Sequence, residues 1–194
     1  MDSLTYLIAL GANLPHAGDA PAQTLLRALA ALPSEGLHLR ALSRFYRTPA
    51  FPPGAGPDFV NACASVTAAL PPEAVLAALH RIEAGLGRTR QSRWEARKID
   101  LDLLAAGAAV RPDAATEAAW RTLPPARQTQ ETPATLILPH PRLAERGFVL
   151  IPLAEIAPGW RHPATGQSVA QMLAALPEAE KAGIHPLSAP VFPE

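Results

Sequence analysis

Phe59-Val60-Asn61-Ala62-Cys63-Ala64-Ser65-Val66-Thr67-Ala68-Ala69 alternates along its length: Val60, Ala62, Ala64 and Val66 share one face, and Phe59, Asn61, Cys63 and Ser65 the other. This is a strand. Downstream, Pro71 or Pro72 opens a helix whose Val75, Leu79, Ile82 and Leu86 form a stripe, ended by Gly85 or Gly87. An arginine-rich loop follows, then a strand from Lys98 to Ala105 in which Ile99, Leu101 and Leu103 oppose Asp100 and Asp102. Upstream, Leu4 to Leu10 is an apolar strand closed by Gly11. Asp19 is the expected cap of a helix from Pro21 to Leu32, with Leu25, Leu29 and Leu32 on one face and Pro33 as its stop. Leu37 to Tyr46 reads as one strand, and Thr48 to Pro57 as a Pro/Gly loop. The order β-α-β-β-α-β predicts an α+β fold: a ferredoxin-like βαββαβ core with an antiparallel sheet, plus a C-terminal extension.

The 194 residues suit one domain, expected over 1–177 and followed by a Pro-rich tail, 178–194, expected to be extended or mobile. Residues 111–135 lack a steady period and read as an insertion loop, partly disordered. Beyond it a further unit runs from Leu136 to Ile156, then a short helix with Ser168 and Gln171 as capping box and Val169, Met172, Leu173 and Leu176 buried. Seventeen basic and seventeen acidic residues leave no net charge, which argues against a nucleic-acid or anionic-membrane partner. The single cysteine, Cys63, permits no internal disulfide. With neither a secretory leader pattern nor an apolar run of about 20 residues, a cytoplasmic protein is expected.

Asp100-Leu101-Asp102 is the sharpest chemical signal. Residues two apart on a strand point the same way, so the carboxylates converge and repel unless a cation joins them. Mg²⁺ suits that role, taking one or two carboxylates and filling its other positions with water and phosphate oxygens. A bare Asp-x-Asp is more often two solvated acids on an open sheet face. Arg88, Arg90, Arg93, Arg97 and Lys98 just upstream change the balance, since cations beside paired carboxylates suit a polyphosphate held by metal on one side and guanidinium forks on the other. Trp94 in that loop argues against a merely solvated basic segment.

Arg88-Thr89-Arg90 and Arg93-Trp94-Glu95-Ala96-Arg97-Lys98-Ile99-Asp100-Leu101-Asp102 resemble the signature of the 6-hydroxymethyl-7,8-dihydropterin pyrophosphokinases of folate biosynthesis. Further matches follow in order: Leu10-Gly11-Ala12-Asn13-Leu14, Phe45-Tyr46-Arg47-Thr48-Pro49, Asp58-Phe59-Val60-Asn61-Ala62, Arg81-Ile82-Glu83, Pro139-His140-Pro141 and Arg146-Gly147-Phe148. The resemblance implies two Mg²⁺ ions on Asp100 and Asp102, with Arg88 and Arg97 as catalytic arginines. It places His80, Glu83, Arg90, Trp94, Leu103, His140 and Arg146, with those two arginines, around ATP. Gly11, Asn13, Thr48, Pro49, Phe51, Asn61 and Trp94 would meet the pterin, stacked between Phe59 and Phe148. The substrates implied are ATP and 6-hydroxymethyl-7,8-dihydropterin, handled by a monomer.

The implied reaction is attack of the pterin hydroxyl on the β-phosphorus of ATP, releasing AMP; positioning and charge stabilisation do most of the work. Gly85 and Gly87 would hinge the arginine loop. Ala12 stands where the family usually has serine, and Glu95-Ala96 where it has Gly-Pro, which alters the loop's stiffness and charge. Two other readings compete. A ferredoxin-like nucleic-acid binder would need aromatics on an open basic sheet face, which a neutral chain with few aromatics lacks. A pterin- or nucleotide-binding module that has lost catalysis is the other.

Overall fold

The structure, a computed structural model, describes residues 3–15, 17–50, 56–87, 98–128 and 130–187. Strand β1 (Leu4–Ala12) leads into helix α1 (Pro21–Ala31). A short 3-10 turn then connects to β2 (His38–Leu42), β3 (Tyr46–Thr48) and β4 (Phe59–Ala68). Helix α2 (Pro72–Gly85) and β5 (Asp100–Ala106) follow, so among the described residues the order to this point is β-α-β-β-β-α-β, one strand more than expected. Beyond it lie α3 (Ala114–Arg121), α4 (Pro125–Gln128), α5 (Gly147–Ile156), α6 (Val169–Ala175), α7 (Glu178–Lys181) and β6 (His185–Pro186). Every strand pair is antiparallel, in the order β5-β1-β4-β3-β6 with β2 also on β4.

The alternation of β4 decides the layering. Ala62, Ala64 and Val66 face one core with Tyr6, Ile8 and Leu10 of β1, roofed by Leu25 and Leu29 of α1 and Val75, Leu79 and Ile82 of α2. Cys63 faces a second core with Leu7, roofed by Val149, Leu150 and Leu153 of α5 and Val169 and Met172 of α6. Each such leucine or valine taken out of water contributes roughly 1.5–3 kcal/mol, so both faces need their helices. A bulge refines β5: Ile8 pairs with Leu103 and Leu7 with Ala105, leaving Leu104 as the extra residue. Leu104 and Ala105 consequently both enter the second core.

Three local expectations change. The run 37–46 holds β2 and then breaks, and β3 opens at Tyr46 and continues to Thr48, the expected start of the loop. Ser43 interrupts the run, because its N–H donates to the Cys63 carbonyl at 2.9 Å and its Oγ accepts from the Cys63 N–H at 3.0 Å. Ala20, not Asp19, caps α1; its N–H donates to Gln23 Oε1 at 2.8 Å, while Asp19 pairs with Arg27 at 2.6 Å. Within 111–135, α3 docks rather than straying, since Glu117 is fully buried, accepts from Arg121 Nε at 2.9 Å and faces His162 Nε2 at 3.8 Å. The Ser168–Gln171 capping box forms as expected, at 3.2 and 2.9 Å. Past Glu178 the chain adds α7 and β6, the latter pairing with β3.

Candidate active site

Polar residues gather at one end of the sheet face that carries the second core. Tyr46, Asn61, Gly11 and Asp100 are cross-strand partners in a single row over β3, β4, β1 and β5. Cys63, Ala9 and Asp102 form the next row toward α5, and Thr48 pairs with Phe59 on the other side. Partners share a face, and neighbouring strands lie about 4.8 Å apart, so the Asn61 and Asp100 main chains stand roughly 10 Å apart across Gly11.

Gly11 and Asn61 are built for one another. Asn61 is buried and its Nδ2 donates to Thr48 Oγ1 at 2.6 Å, which leaves Oδ1 lying over β1. A Cβ on Gly11 would stand 2.6 Å from that oxygen. Sequence patterning makes Gly11 the end of its strand; β1 runs through it to Ala12, and the Asn61 oxygen fills the space above it. Asn13 is buried too, and its Nδ2 donates to the Pro57 carbonyl at 3.2 Å, tying the loop before β4 to the end of β1. Pro49 is exposed beside the buried Thr48 and Ala50.

The acidic half lies on the edge strand β5. Asp100 and Asp102 are partly exposed, while Ile99, Leu101 and Leu103 between and beside them are buried. Among the described residues no third His, Cys, Asp or Glu joins them in a metal-binding group. Two convergent oxygen donors open to solvent fit a hard cation that takes its other ligands from water and phosphate. Glu83 of α2 is buried and accepts the Leu101 N–H at 2.7 Å, so it covers the strand edge directly between the two aspartates. His80, one turn earlier on α2, is partly exposed. The Leu103 side chain belongs to the first core, so any contact it offers a nucleotide comes from its main chain.

Segment 138–146 runs along the same edge: Leu138 bridges Arg111, and the His140 N–H donates to the Leu104 carbonyl at 2.8 Å. His140 Nδ1 accepts the Arg142 N–H at 3.2 Å. Burial, with Arg146 and Arg142 adding to it and Asp100 opposing, lowers the His140 pKa to about 3, so the ring is neutral at physiological pH. Arg146, at the start of α5, places Nη1 3.9 Å from Asp102 Oδ2 and its guanidinium 5.5 Å from the Phe148 ring centre. A cation over that partly exposed ring both neutralises the aspartate and steadies the aromatic.

The structure adds a group that patterning misses. Tyr46 is buried, its hydroxyl donating to Glu155 Oε1 at 2.7 Å, and Arg44 reaches Glu155 through Nε at 2.6 Å and its N–H at 2.8 Å. Burial pushes the Glu155 carboxyl up, but the bonds from Tyr46 and Arg44 outweigh it and hold the pKa below the usual range. This clamp fastens the C-terminal turn of α5 to β3, while the first turn carries Phe148. The signal was a lone acid in the otherwise apolar run Gly147–Ile156. Phe51, Arg88, Arg90, Trp94 and Arg97 lie outside the described residues.

The domain is of the mixed α/β class, with an antiparallel sheet, helices on both faces and an acidic pair at the edge of a polar sheet end. A model of the 7,8-dihydro-6-hydroxymethylpterin-pyrophosphokinase family matches residues 7–158. The chain is 35% identical over 170 residues to the 2-amino-4-hydroxy-6-hydroxymethyldihydropteridine pyrophosphokinase of Pseudomonas aeruginosa, covering 88% of this chain and 90% of that one. The Methylorubrum extorquens protein of the same name is 37% identical, with 78% and 81% covered. That of Synechocystis is 36% identical over 71% of this chain, which spans 60% of the longer relative. Among solved structures, wild-type Plasmodium falciparum HPPK-DHPS aligns with TM-score 0.63 at 13% identity, over 89% of this chain and 44% of that one, a likeness of fold. The chain belongs to the 7,8-dihydro-6-hydroxymethylpterin-pyrophosphokinase family.

Proposed function

We propose that this chain transfers the terminal pyrophosphoryl group of ATP to 6-hydroxymethyl-7,8-dihydropterin in folate biosynthesis, acting in the cytoplasm. The observation that carries the reading is the row Asn61, Gly11, Asp100 with Asp102 beside it, set on the fold of this family. A flat ring read at its polar edge by the Asn61 carboxamide, between Phe59 and Phe148, would direct its hydroxymethyl group along Gly11 toward the carboxylates. The roughly 10 Å between Asn61 and Asp100 suits a bicyclic ring and its one-carbon arm. Asp100 and Asp102 would hold Mg²⁺, two ions in this reading, which neutralise the triphosphate when bound.

The rest falls to the chain. The substrate oxygen forms its bond to the β-phosphorus, its hydroxyl proton passing to solvent, as the bond from that phosphorus to the α,β-bridging oxygen breaks, and AMP leaves with that oxygen. Arg146 adds a guanidinium next to Asp102, and neutral His140 can donate from Nε2 without adding charge. Arg88 and Arg97, with Arg90 and Trp94, are assigned to the nucleotide by motif alone. Glu83 and Asn13 serve as holders of β5 and of the loop at 56–58. We also read the sheet order β5-β1-β4-β3 as a ferredoxin-like core and residues 1–177 as one pyrophosphokinase domain. Every group invoked comes from one chain, so a monomer suffices. Among the described residues no helix is long and apolar enough to cross a membrane.

Separation of products from labelled ATP incubated with the pterin and Mg²⁺ tests this. AMP in step with pterin diphosphate is expected; ADP would mean an ordinary kinase, and neither product a binding module.

A further inference from the structure

We propose that residues 178–187 are a positioning strap for the pterin side of the site, an inference that rests on the pyrophosphokinase reading. The family model ends at residue 158, and the chain beyond it returns to the two elements assigned to the pterin. The Glu180 carbonyl packs so closely on Gly147 that a Cβ there would overlap it, and Ile184 Cδ1 would stand 3.0 Å from the same Cβ. Gly147 sits between Arg146 and Phe148, in the first turn of α5. Three residues after Glu180, Gly183 turns with φ +73°, and a Cβ on it would come within 2.8 Å of Pro49 Cγ. The strap then pairs as β6 with β3, Arg47 opposite His185 and Tyr46 opposite Pro186, and the Leu187 N–H donates to the Phe45 carbonyl at 2.8 Å.

A five-residue stretch, 180–184, therefore touches the segment carrying Phe148 and the segment carrying Thr48 and Pro49. These lie on different elements, α5 and the end of β3, with no covalent link nearer than about a hundred residues, as their numbers show. Both approaches are made at glycines: any side chain at Gly147 would push α7 away from α5, and any at Gly183 meets Pro49 with a backbone angle that L-residues rarely adopt. The strap sets the separation of Phe148 from the Thr48–Pro49 segment, and so the fit of the ring against both; its Gly183 contact lies on the β3 side of the sheet, with β4 and β1 between it and Asp100 and Asp102 on β5.

The test compares the full chain with its Gly183→Ala and Gly147→Ala variants, measuring kcat and the separate KM values for 6-hydroxymethyl-7,8-dihydropterin and ATP, with circular dichroism to verify folding. The expected result for Gly183→Ala is a pterin KM raised about fivefold or more, an ATP KM within about twofold of wild type and little change in kcat. Adding Pro49→Ala to Gly183→Ala removes the collision and should bring the pterin KM back toward that of Pro49→Ala alone. Should Gly183→Ala fail to fold, Gly183→Asn keeps the collision on a residue that tolerates positive φ and carries the same comparison. Wild-type pterin KM in both folded glycine variants, or equal rises of the two KM values in Gly183→Ala, overturns the strap while leaving the reaction intact. A wild-type protein that neither releases AMP nor binds the pterin in a fluorescence titration overturns the reaction reading, and the strap with it.

Discussion

Gly11→Ala puts intrinsic propensity and tertiary crowding in direct opposition. Within a strand, alanine in place of glycine should stabilise by about 0.5–1 kcal/mol, because the unfolded chain loses freedom. Here the new methyl would stand 2.6 Å from Asn61 Oδ1, far inside contact distance. The carboxamide must swing away, and its 2.6 Å bond to Thr48 Oγ1 breaks in a buried setting. Losing such a bond costs about 1 kcal/mol, and leaving a buried amide or hydroxyl unpaired about 1–3 kcal/mol. Set against the propensity gain, a net loss of about 1–2 kcal/mol is expected in urea unfolding, with m unchanged. In an Asn61→Ser background the oxygen is gone, and the same Gly11→Ala change should be neutral or stabilising, a coupling of more than about 1 kcal/mol. A single variant as stable as wild type or more so, or additive effects in the cycle, would refute the crowding of Gly11 by Asn61.

The remaining predictions concern charge and access. Asp102→Asn should cut turnover by about two orders of magnitude while shifting the melting temperature little, since the side chain is partly exposed; an active, Mg²⁺-dependent variant counts against the metal assignment. His140 is held neutral to about pH 3, whereas in the unfolded chain it takes a proton below about pH 6.5. The unfolded state thus binds more protons between those values, and stability should fall by up to about 1.4 kcal/mol per pH unit on acidification through that window. His140→Asn should flatten this slope, and denaturation curves at pH 5 and 7 that differ as in wild type would contradict it. Burial pushes the Cys63 thiol far up, and its Sγ lies 3.5 Å from the Val149 carbonyl, so alkylation should wait for unfolding; rapid labelling of native protein would show that α5 lifts from the sheet.

Much of the fold is legible in the sequence. Period-two alternation at Phe59–Ala68 and the opposition of Leu101 and Leu103 to Asp100 and Asp102 are consequences of strand geometry, which local sequence expresses directly. The helix stripes at Leu25 and Leu29 and at Val75, Leu79 and Ile82 likewise announce the face each helix buries. Where expectation failed, a distant partner decided. Ser43 breaks a run of strand-like residues because it bonds Cys63, twenty positions away. Residues 114–121 fold because Glu117 finds Arg121 and His162, and β6 forms because β3 offers an open edge.

The amino-acid order by itself determined β1, β4, β5, α1 and α2, the face each presents and the convergence of Asp100 with Asp102, because those depend on periods of two and 3.6 that hold over a few residues. Only the tertiary structure decided that Gly11 is the floor beneath Asn61, that Glu83 guards the edge of β5, that Glu155 clamps α5 to Tyr46 and that 178–187 returns to β3 and α5. Those are contacts between residues from 18 to 140 positions apart, taking Glu83 with Leu101 and Tyr46 with Pro186. No local period encodes such a contact; it exists only once the sheet order has brought the partners together.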